Sequence, residues 1–91
     1  MSSIDIRHDH THSADVARSV IEDMVVKLDR KFPLKTEWVD DALNFSGAGV
    51  KGLIALLPGQ VHVTANLSFP ASLMQSTVEG EIQRVLREKL G

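Results

Sequence analysis

Between Val61 and Leu67 the chain alternates without a break: Val61, Val63, Ala65 and Leu67 are apolar, and His62, Thr64 and Asn66 between them are polar. An extended strand turns successive side chains to opposite faces, so this pattern requires a sheet with one dry face and one wet face. The residues upstream extend the requirement. Leu57-Pro58-Gly59-Gln60 fits a type II turn, with proline second and glycine third. Val50 to Leu57 reads as the strand feeding that turn, and Ala42 to Ser46, with Leu43 and Phe45 on one face, as the strand before it. Gly47-Ala48-Gly49 links those two, glycine being the residue that accepts positive φ at little steric cost. Asp40-Asp41 reads as a tight turn following a strand from Leu34 to Val39. Near the start of the chain, Ile4 and Ile6 alternate with Asp5 and Arg7 in a short strand continuing to His8.

Two segments switch to a helical period. From Ala14 to about Phe32, the residues Ala17, Val20, Ile21, Met24, Val25, Leu28 and Phe32 fall on one stripe, and Pro33 stops the run. Thr11 or Ser13 can cap its first turn. A closing helix is expected from Pro70 to about Leu90, with the stripe Met74, Val78, Ile82, Val85, Leu86 and Leu90. Gly80 sits inside it, and a close approach of this helix to the sheet would account for a glycine there. The element order is β-α-β-β-β-β-α. Two amphipathic helices each need a sheet to cover, which gives an α+β two-layer sandwich: a mostly antiparallel sheet with both helices on one face, built as a single domain over residues 1–91.

The uncovered sheet face would carry Asp5, Arg7, Asn44, His62, Thr64 and Asn66. The strand Val50–Leu57 breaks that polarity, because Leu53, Ala55 and Leu57 share one face while Gly52, Ile54 and Leu56 share the other. A strand apolar on both sides is normally buried on both sides. In two layers the second side has no cover, so Leu53, Ala55 and Leu57 form either scattered exposed apolar residues or a surface for a partner.

Composition excludes several function classes. A net charge of −2 and a pI near 6.0 supply no basic face for nucleic acid. The absence of cysteine excludes disulfides, thiolate metal sites and cysteine chemistry. The first residues carry neither the basic start nor the apolar run of a signal peptide, and no apolar run approaches the roughly 20 residues of a transmembrane segment, so a cytoplasmic location is expected.

Candidate chemistry is sparse. His8, His10 and His12 have the His-x-His spacing that a strand would turn to one side, and imidazole suits zinc, copper or nickel. The plainer reading is that His8 ends the buried face and that Thr11 and Ser13 have already begun a cap. Trp38 reads as hairpin or core packing and Asp40-Asp41 as turn formers. Ser13 beside histidines lacks a nucleophile elbow, and Gly47-Ala48-Gly49 is followed by neither the helix nor the Lys-Ser pair of a phosphate loop.

Taken in order, these residues resemble the small bacterial family named for the polyhydroxyalkanoic acid (PHA) system, also described as PHA granule-region proteins. Ile4 and Ile6 match its opening strand, His10 its histidine and Ala17-Arg18 its helix pair. Trp38, Asp41, Leu43 and Phe45 match its hairpin. Gly49, Val50 and Gly52 match the next turn and strand, and Val61, Val63 and Leu67 the alternating strand. Asp40 and Ser68 stand where the family pattern has glycine. The resemblance implies a non-enzymatic bacterial accessory protein, without a cofactor, that accompanies the making, coating or use of polyester storage granules. Its expected partner is the granule surface, a granule-coat protein or the polyester synthase, met through Leu53, Ala55 and Leu57. Two alternatives remain open: a metal- or small-ligand-binding regulator using His8, His10 and His12, and a structural homodimer through the same sheet face.

Overall fold

The computed structural model describes residues 2–31, 33–47 and 49–91. Strand β1 (Ser2–Asp9) leads into helix α1 (Ala14–Lys31), and four strands follow: β2 (Lys35–Val39), β3 (Ala42–Gly47), β4 (Val50–Leu57) and β5 (Gln60–Leu67). Helix α2 (Gln75–Leu90) closes the order. The five strands form one antiparallel sheet in the order β1-β5-β4-β3-β2. Strands β2 to β5 are a meander of sequence neighbours. Strand β1 is inserted last in space, pairing Ser2 with Leu67 and Asp9 with Gln60.

The alternation read from the sequence sets the two faces. Ile4 and Ile6 of β1, Leu43 and Phe45 of β3, Val50 and Ile54 of β4, and Val61, Val63, Ala65 and Leu67 of β5 are all buried on the helix side. The α1 stripe from Ala17 to Leu28 and the α2 residues Val78, Ile82, Val85, Leu86 and Leu90 join them in one apolar cluster. Among the described residues no polar or charged side chain is buried in it. Phe32, assigned to the α1 stripe by its period, lies outside the described residues, as does Ala48 of the glycine-rich turn.

Local signals explain the element ends. Ser13, rather than Thr11, caps α1: its Oγ accepts the Val16 N–H at 3.3 Å, and its carbonyl accepts the Ala17 N–H at 3.0 Å. Gly59 takes φ +71° at the third position of the β4–β5 turn, as a type II turn requires. Gly52 is the seat of Phe45: a Cβ there would lie 2.4 Å from Phe45 Cζ and 2.5 Å from the Thr64 carbonyl oxygen.

The second helix differs from expectation in three respects. It starts at Gln75, because residues Ala71–Met74 wind as a 3-10 turn after Pro70. Met74 is therefore not on the buried stripe. It is the residue preceding α2 and is 41% exposed. Gly80 permits no close approach to the sheet either; it is exposed, and an added Cβ would meet nothing within 4 Å.

Candidate functional site

Register turns the uncovered face of the sheet into rows of neighbours. One row runs Asp5, Thr64, Leu53, Asn44, Glu37, and the adjacent one runs Arg7, His62, Ala55, Ala42, Val39. Leu57 lies beyond them, opposite Gln60. Leu53, Ala55 and Leu57 thus descend the central strand of the sheet on its open side. The pairing of Ala55 with Ala42, and of Ala42 with Val39, extends the apolar surface sideways to the β2 edge. Leu53, Ala55 and Ala42 are half-buried, whereas Val39 and Leu57 are 48% and 45% exposed. The result is a flat apolar patch with a polar border. Val39 and Ala42 were not evident as members of it, because only the β2–β3 register reveals that they face the same way as Ala55.

The border contains two short side-chain contacts, both between β1 and β5. His62 Nε2 lies 2.7 Å from Asp5 Oδ1, diagonally across β5 and β1. Asp9 Oδ1 accepts the Gln60 side-chain amide at 2.8 Å at the same edge. Both contacts use neighbours on paired strands, where cross-strand side chains come within reach. Among the described residues His62 has Asp5 as its side-chain partner, a contact that ties β1 to β5.

The three histidines do not converge. His8 ends β1 on the helix side and borders a groove beside Gln83, Leu86 and Arg87 of α2. His10 and His12 border a separate depression of about 260 Å³ with Asp41 and the β4–β5 turn. The His10 N–H donates to the Gly59 carbonyl at 2.9 Å, and His10 Nδ1 accepts the His12 N–H at 3.1 Å. That second bond uses Nδ1 and leaves His10 Nε2 without a hydrogen-bond partner among the described residues. The His10 and His12 rings stack with centroids 6.1 Å apart. Among the described residues no group of three or more His, Asp or Glu is arranged to hold a metal ion. The strand alternation that would align the three ends at Asp9, and the chain turns into the α1 cap.

Trp38 is half-buried against the core, on the helix side, with the Arg18 guanidinium 3.9 Å from its ring centroid. It packs and holds a cation over its face, and the open sheet surface gains nothing from it.

Residues 4–90 match the family described as "Putative polyhydroxyalkanoic acid system protein". The chain belongs to this family. No curated protein matches it. The structure gives the PHA-system pattern a physical basis. Arg18 and Trp38, both part of it, are in contact. Gly52 is fixed by Phe45, also part of it. Asp40 stands where the pattern has glycine and adopts φ +54°, a conformation that glycine enters freely and aspartate only tolerates. At Ser68 no such constraint holds: its N–H donates to the Gly49 carbonyl at 2.8 Å, and its Oγ lies 3.3 Å from the same oxygen. Among the described residues no helix is long and apolar enough to cross a membrane.

Proposed function

We propose that this PHA-system protein is a non-enzymatic accessory module of cytoplasmic polyester storage granules. It attaches to the granule surface, to a granule-coat protein or to the polyester synthase through the open face of its sheet. The observation that carries the reading is the patch of Leu53, Ala55 and Leu57 with Val39 and Ala42, apolar in the middle of a face that is otherwise polar. Apolar area released from water contributes roughly 25 cal/mol per Å², and a flat patch with a hydrogen-bonding border is the usual make-up of a reversible docking surface. Family membership supplies the setting.

Co-sedimentation of the tag-free protein with polyester granules, stripped of coat proteins or still carrying them, tests this reading. Leu53→Asp places a charge in the patch without touching the helix-side core, so the variant should remain folded and lose its attachment. A folded Leu53→Asp protein that still sediments would remove the open face from the proposal.

A further inference from the structure

Among the described residues, the most exposed large apolar side chains lie outside the open-face patch. Phe69 is 77% exposed and Leu73 is 75% exposed, with Met74 beside them at 41%. All three belong to the connection between β5 and α2, at the end of β5 remote from Leu57. The connection is held from behind. Ala71 is buried in the core, the Ser72 N–H donates to the Ser68 carbonyl at 3.1 Å, the Leu73 N–H to the Pro70 carbonyl at 3.1 Å, and Gln75 Nε2 to the Ser3 carbonyl at 3.0 Å. A large phenyl ring and an isobutyl group are therefore presented to water by an anchored turn.

The charge pattern around this tip is unusual. Although 24% of the chain is charged, residues 52–78 contain no Asp, Glu, Lys or Arg. The exposed polar groups just past the tip are the hydroxyls of Ser76 and Thr77.

We propose that Phe69, Leu73 and Met74 form an insertion tip that anchors the protein in the surface of an aliphatic polyester. Phe69 and Leu73 are exposed over about three quarters of their surface, so a folded partner would have to bring a matching cavity, whereas an amorphous polymer closes around whatever projects into it. Burial of the tip brings no formal charge of residues 52–78 out of water. A polyester offers ester carbonyls, which accept hydrogen bonds and have no donors of their own, and the Ser76 and Thr77 hydroxyls are donors. A lipid leaflet fits less well. Segments that insert into anionic membranes flank their apolar side chains with clusters of Lys and Arg, whereas residues 52–78 hold neither and the register brings Lys51, opposite Asn66, to the β5 end of the tip. The polyester as ligand rests on the granule reading above, but the tip is a separate surface from the open-face patch. Anchoring by the tip would leave that patch free for a coat protein or the synthase.

The test uses the full-length, tag-free protein and protein-free amorphous particles of poly(3-hydroxybutyrate). The double variant Phe69→Ser/Leu73→Ser changes only exposed side chains and should keep the wild-type melting temperature. Its apparent affinity for bare particles should fall at least tenfold, while Val26→Ser, a change at an exposed apolar side chain of α1 outside both surfaces, should bind them as wild type does. Because the chain has no cysteine, Leu73→Cys carries a single environment-sensitive fluorophore. Its emission should shift to the blue on the particles, and the same label at Val26→Cys should not respond. Unchanged binding by the double variant, or no binding of wild type to bare particles, overturns the tip. The granule reading itself then survives if coated granules still bind wild type and not Leu53→Asp. Equal binding to phosphatidylcholine vesicles, with or without anionic lipid, overturns the polyester as the occupant.

Discussion

At single positions, the structure separates glycines that are required from one that is not, and it identifies an aspartate standing where glycine would fit better. At Gly52 any side chain would displace Phe45 or the β5 backbone. Gly52→Ala should therefore lower stability by about 1–3 kcal/mol through overpacking, read as a shift of the urea midpoint at unchanged slope. Asp40 has the opposite sign. Its φ of +54° lies in the left-handed region, where a Cβ carries a penalty of about 1–2 kcal/mol that aspartate partly recovers by local hydrogen bonding. Asp40→Gly should leave the protein as stable or raise its stability by up to ~1 kcal/mol, and a lower melting temperature would contradict the strain. The Asp40 conformation was not legible in the sequence. Asp40-Asp41 signals a turn, but only the turn's geometry shows which of the two takes positive φ.

At the scale of elements, periodicity located β1, β3, β5 and both α-helices, because each buries a whole face; β2, exposed along nearly its whole length, was placed by the Asp40-Asp41 turn that follows it. Strand β4 kept its apolar character on both sides, and the outer side did prove to face away from the helices. The errors collect at the start of α2, where no period operates. Met74 sits at a spacing that continues the apolar stripe of α2 backwards, but Pro70 is followed by a 3-10 turn that leaves it exposed. The histidine segment follows the plainer of its two readings, with His8 on the helix side and a Ser13 cap close behind. Alternation carries information only while the chain stays extended, and here it ends at Asp9. Two predictions belong at this scale. Gly80 is exposed in the body of α2 with empty space around its Cα, so Gly80→Ala should stabilise by roughly 1 kcal/mol, visible as a higher melting temperature. Arg18 rests on Trp38 at the β2 edge, and Arg18→Ala should lower stability by about 0.5–1 kcal/mol and alter the Trp38 emission, whereas Arg18→Lys should retain most of both.

Across the whole molecule, the proposed attachment draws on two surfaces, the open face of the sheet and the β5–α2 connection, and only the first could be anticipated. Leu53, Ala55 and Leu57 announce themselves by sharing a parity that a two-layer fold leaves uncovered. The Phe69–Met74 tip has no periodic signature, and its exposure follows from how the β5–α2 connection is seated. Attachment through either surface is apolar in character. It should therefore survive a rise from 0.05 to about 0.5 M salt, which would screen attraction between exposed charges. Granule co-sedimentation across that range is the check, and release by salt would point to an electrostatic contact instead.

The position of β1 has a consequence for how the fold is assembled. Strands β2 to β5 can pair in the order in which they are made, each with its predecessor, but residues 2–9 must wait for residues 60–67 before they have a partner. Closing that long loop is the expensive step in entropy, and until it closes β5 presents a bare edge with Val61, Val63 and Ala65 beneath it. Strand β1 thus behaves as a latch fitted after the rest is in place. A chain lacking it should be soluble only when a synthetic peptide of residues 2–11 is supplied in trans. In a crowded cell the same opening gives neighbouring copies a brief opportunity to exchange latches.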